Sequence, residues 1–242
     1  NGIEKCQVKP AVMNPLTVSV NGSGKKRLVL DCRHINPCIA SFKFRYEDQR
    51  VAAKTLYRGD YMITFDLKSA YHHVGVYPLH QKYLGFCWKN SYYKFRVIPF
   101  GISCASYIFT KLCNILVYHW RKQGHRVIMF LDDGVCFASS LEEGKKLADI
   151  VKGDIIKSGF LIAEEKCSWE PKQIISWLGY YWNSVDHEMA VSKERVDKVK
   201  NNLTAIVNKI KGGSTLLPAR YVASVIGMII SMSMVFYRFS NL

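Results

Sequence analysis

The sequence predicts an α+β fold in which several antiparallel hairpins precede a helical C-terminal segment. Two stretches, residues 14–32 and 83–97, contain paired β-rich runs joined by short turns rich in Asn, Gly or Ser, as β-hairpins do. A third hairpin is predicted over residues 127–138, where two apolar runs flank an acidic turn. From 193 to 210, apolar residues instead recur at the spacing of an amphipathic helix. Strands grouped ahead of helices are typical of the α+β class.

The first hairpin pairs a strand over residues 14–20 with a strand over 27–32. Lys25, Lys26 and Arg27 lie at the start of the returning strand. Cationic side chains on a projecting hairpin are suited to holding a triphosphate or a phosphate backbone. Solvated charges on an exposed turn explain the same residues, so this segment alone does not decide between the two interpretations.

The next elements lead to an acidic residue. A weakly helical pattern over residues 46–56 is ended by Arg58-Gly59-Asp60. The apolar strand 61–65 then runs directly into Asp66.

The second hairpin is rich in aromatic residues. They occupy half the positions of its two strands, 83–88 and 92–97, and they either stack on nucleic-acid bases or pack one face of a sheet. A loop that contains Pro and Gly, residues 98–103, leads into a long helix predicted from about Ala105 to Gln123.

Asp132 and Asp133 lie side by side at the turn of the third hairpin. Adjacent carboxylates repel each other and raise each other's pKa unless cations hold them ionised, so a divalent metal site is the natural expectation. The alternative is an Asp-Asp-Gly surface turn, since Asp and Gly are common in tight turns. Asp66, a third carboxylate at the end of an apolar strand, favours the metal site.

The segment after this hairpin begins with a helix. Ser140-Leu141-Glu142-Glu143 has the pattern of a capping box, and the helix is predicted to end at Gly159. Lys166 follows in a charged loop, and residues 177–182 read as one aromatic strand.

The C-terminal segment is predicted to form two helices. The first, from Lys193 to Ile210, has a basic face, which is either simply solvated or in contact with backbone phosphates. Residues 212–214 interrupt the pattern, and Pro218 begins a second, apolar helix. Residues 221–237 are the one membrane-span candidate, but they are short and contain Ser and Gly, so a buried helix is the expectation.

The composition favours a polyanionic partner. The 242 residues include 34 Lys and Arg against 19 Asp and Glu, which gives a net charge of +15. Nucleic acid fits this imbalance, and an anionic membrane surface is the competing interpretation. Because the basic residues are spread along the chain, a long groove is favoured and no membrane partner is expected.

The eight cysteines indicate a reducing compartment. None forms a Cys-x-x-Cys pair, and most lie in apolar runs, so we expect reduced core residues and neither a disulfide framework nor a zinc site. No signal peptide and no initiator Met are present, so we expect a segment of a longer protein that is intracellular, cytoplasmic or nuclear, and not secreted.

Five motifs, in this order, resemble those of a retroelement reverse transcriptase, and they are most similar to the LTR-type and DIRS-like (tyrosine-recombinase) retrotransposon enzymes. The resemblance covers residues 14–182, and no RNase H, protease or integrase segment is recognisable. The motifs are Leu28-Val29-Leu30-Asp31-Cys32-Arg33-His34-Ile35-Asn36, Phe65-Asp66-Leu67-Lys68-Ser69-Ala70-Tyr71, Ile98-Pro99-Phe100-Gly101-Ile102-Ser103, Phe130-Leu131-Asp132-Asp133 and Trp177-Leu178-Gly179-Tyr180.

The resemblance implies a right-hand polymerase fold with an antiparallel palm sheet backed by helices, β-hairpin fingers and a small helical thumb. The implied divisions are fingers over 1–45 and 74–98, palm over 46–73 and 99–188, and thumb over 189–242.

The resemblance also implies the catalytic centre. Asp66, Asp132 and Asp133 would hold two Mg²⁺ ions roughly 4 Å apart, with Mn²⁺ as a possible substitute, to activate the primer 3′-hydroxyl and stabilise the leaving pyrophosphate. The backbone after Asp66 would add a carbonyl ligand, and Lys166 matches the lysine that protonates pyrophosphate.

The remaining implied residues bind substrates. Tyr71 occupies the position of a steric gate that excludes ribonucleotides, with an ordinary core tyrosine as the alternative, and Gly101 would let its loop approach the nascent base pair. The implied dNTP-binding residues are Lys25, Lys26, Arg27, Tyr71, Phe100 and Gly101, and the implied template- and primer-binding residues are Arg33, Leu178, Gly179 and Tyr180.

Two positions depart from the family pattern. Phe130 replaces the Tyr that usually precedes the Asp pair, which removes a hydroxyl but no metal ligand. Gly134 stands where relatives have a bulky apolar residue, so extra freedom is expected at the start of the returning strand.

The expected activity is therefore RNA-directed DNA polymerisation, in which a DNA or RNA primer is extended with dNTPs on an RNA or DNA template. One rival is a catalytically silent reverse-transcriptase fold that binds nucleic acid, and three retained carboxylates argue against it. Another is an RNA-dependent RNA polymerase, and Tyr71 argues against it because a steric gate at that position excludes ribonucleotides.

Overall fold

The computed structural model describes residues 2–20, 24, 26–213 and 216–236, so the predicted phosphate-binding residue Lys25 lies outside the described part of the chain. Among these residues the helices are α1 (Gln49–Thr55), α2 (Ala105–Lys122), α3 (Leu141–Lys157), α4 (Lys193–Lys211) and α5 (Ala219–Ile230). The strands are β1 (Ile3–Cys6), β2 (Leu16–Val20), β3 (Lys26–Leu30), β4 (Tyr61–Asp66), β5 (Gly85–Trp88), β6 (Ser91–Phe95), β7 (Arg126–Phe130), β8 (Asp133–Ala138), β9 (Ser168–Lys172), β10 (Ile174–Trp177), β11 (Tyr180–Asn183) and β12 (Glu188–Val191).

A four-stranded antiparallel sheet in the order β7-β8-β4-β9 forms the centre of the molecule. Its inner strand β4 is buried at five of six positions, because both faces of the sheet are covered. Successive side chains of a strand point to opposite faces. Accordingly, Ile63 and Phe65 enter one hydrophobic core and Met62 enters the other.

Helices α2 and α3 cover the first face. Phe109 and Trp120 of α2, with Val151 and Ile155 of α3, are fully buried against the sheet. Helix α3 begins as predicted, since the Ser140 hydroxyl accepts a hydrogen bond from the Glu143 N–H at 3.1 Å. The second face is covered by α1 and by a small antiparallel sheet, β10-β11-β12, whose Trp177 and Trp182 are buried.

The N-terminal part forms a hairpin, β2-β3, and a separate sheet, β1-β6-β5. Of the aromatic residues of the second predicted hairpin, Phe86 and Phe95 are buried and Tyr93 packs against them, while Tyr83 and Trp88 are exposed. The Leu30 N–H donates to the Phe100 carbonyl at 2.9 Å, so the hairpin is joined to the loop that precedes α2.

The prediction of one aromatic strand over residues 177–182 was wrong. Leu178 and Gly179 both have left-handed backbone angles, with φ of 47° and 76°, and they form a two-residue turn between β10 and β11. A continuous run of apolar side chains hides such a turn, because side-chain type reports burial more directly than backbone direction.

The expectation of a buried final helix was also wrong. Within α5 only Val225 is buried, while Ile226 and Ile230 are at least half exposed. In the part of the chain that the structure describes, no helix is long and apolar enough to cross a bilayer.

The cysteines agree only partly with their prediction as core residues. All eight are free, as predicted, and Cys32, Cys113 and Cys136 are buried. Cys38 and Cys87, however, are exposed.

Candidate active site

The three predicted carboxylates meet at one edge of the central sheet. Asp66 is the last residue of β4 and is directly opposite Asp133, the first residue of β8. Between β7 and β8, Leu131 adopts a left-handed backbone angle, with φ of 56°, which is uncommon for a side chain of this size and costs on the order of 1–2 kcal/mol. The Leu67 N–H donates to the Asp132 carbonyl at 2.9 Å and joins the turn to the end of β4.

Gly134 is required by packing, which corrects the expectation of extra freedom at this position. A Cβ on Gly134 would collide with the ring of Phe65 from the neighbouring strand. That ring stacks on Trp169 with centroids 6.2 Å apart and meets Trp120 edge-on at 6.0 Å. The missing side chain therefore lets an aromatic cluster support the acidic turn from the core side.

Lys166 partly neutralises the carboxylates. Its Nζ lies 2.6 Å from Oδ2 of Asp66, and Asp66 is only 4% exposed. This hydrogen bond raises the pKa of Lys166 above its usual value, so the side chain stays an ammonium ion. The structure thus brings Lys166, found by resemblance alone, to the centre of the site.

Burial and mutual repulsion disfavour the ionised forms of Asp132 and Asp133. Burial is the main cause of the raised pKa of Asp132, with a further contribution from Asp66. The pKa of Asp133 rises to about 7, chiefly through burial, then through the charges of Asp132 and Asp66 and a hydrogen bond with Asp66. A bound cation would remove the cost of ionising this pair.

The donor chemistry fits magnesium, since three carboxylates supply the hard oxygen ligands that this ion takes. The side chains have not converged to ligand positions: among the described residues no group of three or more His, Cys, Asp or Glu is arranged to hold a metal ion. Asp66 is engaged by Lys166 instead. Metal binding would require the Lys166 ammonium to give way at Asp66.

Replacing Asp133 by Asn is expected to stabilise the metal-free protein at pH 8 and to leave its stability at pH 4 unchanged. An aspartate in an unfolded chain titrates near 3.9, whereas Asp133 in the folded chain titrates at about 7. The folded state therefore binds the extra proton between these values, and stability falls as pH rises through this window. The difference between these two pKa values corresponds to about 4 kcal/mol at pH 8. We therefore expect a gain of up to about 4 kcal/mol, or roughly 8–16 °C in Tm, by thermal unfolding in EDTA.

The matched control is Asp149→Asn, at an exposed aspartate of α3, which should change Tm equally little at both pH values. A Tm for Asp133→Asn that equals that of the parent at pH 8 would contradict the assignment of a raised pKa to this carboxyl.

A cleft of about 370 Å³ opens over the carboxylates, and we call it the acidic cleft. Its walls come from β3, from the segment after β4, from the loop before α2 and from the segment before β9. The predicted residues that line it are Lys26, Arg27, Asp66, Tyr71, Phe100, Asp132 and Lys166.

Aromatic and cationic side chains contact each other in the lining of this cleft. The Tyr71 ring lies 5.2 Å from that of Phe100 and 5.8 Å from that of Phe109. The Arg27 guanidinium lies 5.6 Å from the Phe100 ring centroid, close enough for a cation–π contact. Tyr71 is half-buried, and burial raises the pKa of its phenol, so the ring presents a neutral hydroxyl to the cleft.

The lining residues to which sequence analysis assigned no role include His72 and Ser69. His72 lies edge-on to Phe100 at 5.5 Å, and burial lowers its pKa. Ser69 has a left-handed φ of 59° and turns the chain between Asp66 and Tyr71. Ser69 lies inside the Asp66 motif and His72 directly follows it, and this position was the available signal.

Some of the predicted substrate-binding residues lie outside the acidic cleft. A Cβ on Gly101, whose φ is 113°, would collide with the Leu30 carbonyl, so this glycine is needed for the contact between its loop and β3. Arg33 is 89% exposed and pairs with Asp31 at 2.6 Å.

The turn formed by Leu178 and Gly179 lies on the other face of the central sheet. Leu178 and the buried Tyr180 pack in the core that includes Val135 and Phe137 of β8. Beside it an aromatic series, also missed from sequence, runs from Phe44 through Tyr46 to Phe130. Phe130, which stands where the family usually has Tyr, therefore uses its ring to pack against Tyr46.

Comparison with known proteins gives one family. The model of "Reverse transcriptase (RNA-dependent DNA polymerase)" matches residues 16–182. The genome polyprotein of Petunia vein clearing virus (isolate Shepherd) is 25% identical over 143 residues, which are 59% of this chain and 6% of that protein. The Pol polyprotein of the gypsy transposon of Drosophila melanogaster is 25% identical over 160 residues, 66% of this chain and 15% of that protein. The chain thus spans only a small part of these relatives.

Solved structures confirm the predicted α+β polymerase fold. The foamy viral protease-reverse transcriptase dRH in complex with ds DNA superposes with a TM-score of 0.77 at 17% identity, over 94% of this chain and 37% of that one. The foamy viral protease-reverse transcriptase in complex with an RNA/DNA hybrid gives 0.73 at 16% identity, over 93% and 28%. With a family model that covers most of its length and a matching fold, the chain belongs to the reverse transcriptase (RNA-dependent DNA polymerase) family.

Proposed function

We propose that this chain is the polymerase core of an RNA-directed DNA polymerase, which extends a DNA or RNA primer with dNTPs on an RNA or DNA template by two-metal-ion nucleotidyl transfer. The observation that carries the proposal is the acidic cleft. Of the three predicted carboxylates, Asp66 and Asp132 line it and Asp133 is hydrogen-bonded to Asp66. Lys166, Arg27 and Tyr71 line the same space.

Asp66, Asp132 and Asp133 would hold two Mg²⁺ ions, or Mn²⁺ in their place. When bound, these ions lower the pKa of the primer 3′-hydroxyl and stabilise the charge on the departing pyrophosphate. The raised pKa of Asp133, about 7, supports this assignment, since the site is costly to ionise without cations.

Arg27 and Lys26 would hold the triphosphate, because they are the cations that β3 contributes to the acidic cleft. Lys166 is an ammonium ion that lines the same cleft and would donate a proton to pyrophosphate once freed from Asp66. Tyr71, held between Phe100 and Phe109, would press its ring against the sugar of the incoming nucleotide.

The divisions of the fold follow the same proposal. The β2-β3 hairpin and the β1-β6-β5 sheet would be fingers, the central sheet with α2 and α3 the palm, and α4 with α5 the thumb. A net charge of +15 supports an RNA template and a DNA or RNA primer as partners. The structural neighbours bound to ds DNA and to an RNA/DNA hybrid support the same partners.

The element type remains part of the proposal. Similarity to transposon polyproteins supports a retrotransposon origin of the LTR-type or DIRS-like kind. Eight free cysteines support an intracellular setting, cytoplasmic or nuclear.

The test is primer extension on a defined RNA template with Mg²⁺, with dNTPs and rNTPs offered separately and Asp132→Asn run beside the parent. Extension with dNTPs that disappears in the variant is the expected result. Extension with rNTPs would favour an RNA polymerase, and duplex binding without extension would favour the silent, nucleic-acid-binding fold.

Replacing Tyr71 by Val is expected to admit ribonucleotides. The smaller side chain opens space for a 2′-hydroxyl at the cleft wall, and steric selection of this size changes the preference by about 10–200-fold. We therefore expect the dNTP-to-rNTP ratio of kcat/KM to fall by at least about tenfold. Tyr118→Val, at an exposed position of α2, is the matched control and should leave the ratio unchanged. An unchanged ratio in Tyr71→Val would remove the gate assignment.

A further inference from the structure

Arg195, in the first turn of α4, joins three separate elements of the chain. One guanidinium nitrogen donates to the Gly179 carbonyl at 2.7 Å, in the turn between β10 and β11. Another donates to the Ser231 hydroxyl at 3.0 Å and to the Ser231 carbonyl at 3.4 Å, at the end of α5. The guanidinium also lies 5.4 Å from the Tyr180 ring centroid. None of these residues lines the acidic cleft.

The turn is shaped to receive this side chain. Gly179 has a left-handed φ of 76°, which favours glycine, and a Cβ there would lie 2.6 Å from the nearer guanidinium nitrogen and displace it. The Tyr180 hydroxyl also donates to the Ser231 carbonyl, which places the end of α5 against the same turn. A cation at the C-terminus of a helix is favoured by the helix dipole.

These contacts fix the base of the two terminal helices. Helix α4 begins at its N-cap Ser192, whose hydroxyl accepts from the Arg195 N–H at 3.4 Å, and α5 ends at Ser231. Both helix ends therefore meet at the turn formed by Leu178 and Gly179. Arginine suits this place because its planar fork donates in several directions at once, whereas lysine acts as a point charge.

We propose that Arg195 is a positioning residue that sets the angle of α4 and α5 against the turn at Gly179 and thereby retains the primer–template duplex over the acidic cleft. The inference rests on the proposed function, because the duplex is the ligand that it positions. Arg195 acts through carbonyl groups of the protein, so its loss should speed duplex dissociation while leaving the rate of incorporation in the bound complex unchanged.

The test compares Arg195→Met and Arg195→Lys with Lys200→Met, an exposed lysine of the same helix. Duplex dissociation is measured with a competitor trap over a range of salt concentrations, and incorporation is measured in a single turnover at saturating dNTP. We expect about tenfold faster dissociation for Arg195→Met and incomplete rescue by Arg195→Lys, with single-turnover rates within about twofold of the parent.

Salt dependence separates positioning from direct phosphate contact. The logarithm of the duplex binding constant falls linearly with the logarithm of the salt concentration, and loss of one phosphate contact makes this dependence less steep by about 0.9. We expect an unchanged slope for Arg195→Met, since carbonyl hydrogen bonds release no counterions. Ser231→Ala removes the hydroxyl that accepts from Arg195 and donates to the Met228 carbonyl, but leaves the two carbonyl acceptors of Arg195 in place. It should speed dissociation by a smaller factor and should add little to Arg195→Met.

Each outcome has a stated meaning. The inference would be overturned if both Arg195 variants released the duplex at the parental rate, or if Arg195→Met made the salt dependence less steep, as loss of a phosphate contact does. Primer extension by the parent would in that case still support the proposed function. A parent that binds the duplex without extending it would refute the proposed function, and the dissociation rates would still decide the role of Arg195. A parent that binds no duplex would overturn both.

Discussion

Replacing Asp66 by Asn is expected to lower nucleotide incorporation by at least about 10³-fold, on the order of 4 kcal/mol in the barrier, while the chain stays folded. Asp66 contacts the other charged groups of the site: it is paired with Asp133 on the neighbouring strand, and its carboxylate lies 2.6 Å from the Lys166 ammonium. Asparagine keeps the shape but removes the charge that would hold the cations. Single-turnover incorporation in Mg²⁺ measures the effect, and thermal unfolding checks the fold.

Glu165→Gln provides a matched control for this variant. Glu165 is an exposed carboxylate that lines the same cleft but has no place in the proposed metal site. Its neutralisation should change incorporation by less than about tenfold, because an exposed charge is screened by solvent and salt. Equal losses in the two variants would mean that the cleft needs only negative charge, and the specific role of Asp66 would be refuted.

Replacing Asp60 by Ala is expected to lower the free energy of unfolding by about 3–5 kcal/mol. Asp60 is 3% exposed and accepts hydrogen bonds from both terminal nitrogens of Arg126, at 2.6 and 2.7 Å, and from the Tyr57 N–H at 2.7 Å. Arg126 also donates to the Thr55 carbonyl and stacks over the Tyr57 ring at 4.5 Å. Without Asp60, the guanidinium, whose side chain is only 23% exposed, would lose its ion-pair partner. Urea unfolding at pH 7 measures the loss.

Two further variants define the cause of that loss. Combining Asp60→Ala with Arg126→Met should cost less than the sum of the single changes, since no unpaired charge then remains. Glu142→Ala removes an exposed pair with Lys146 and should cost below about 0.5 kcal/mol. A loss of under 1 kcal/mol for Asp60→Ala would contradict the structural role of the pair.

Local patterns in the sequence predicted the parts of the fold that depend on neighbouring residues. The hairpin that carries Asp132 and Asp133, the helix capped by Ser140 and the long helix from Ala105 all formed where their spacing indicated. The three carboxylates could be named in advance because repulsion between charges constrains where they are tolerated.

Contacts between distant segments could not be predicted in this way. The Asp60–Arg126 pair depends on the packing of α1 against β7, and nothing near Asp60 in the sequence indicates it. The turn at Gly179 was hidden in an apolar run, and the guanidinium of Arg195 that donates to its carbonyl comes from another element. The exposure of α5 likewise depends on what packs beside it and not on its own periodicity.

The order of the central sheet has a consequence for how the protein is made. Strand β4, which ends in Asp66, pairs with β8 on one side and with β9 on the other, and β9 ends at Lys172. During synthesis the chain emerges from its N-terminus at a finite rate, so all three carboxylates leave the ribosome before the last strand that aligns them. A nascent or truncated chain that ends between residues 133 and 168 would carry all three carboxylates but lack the strand β9 that pairs with β4. We therefore expect the three carboxylates to reach their final arrangement only after β9 has been synthesised and has paired with β4.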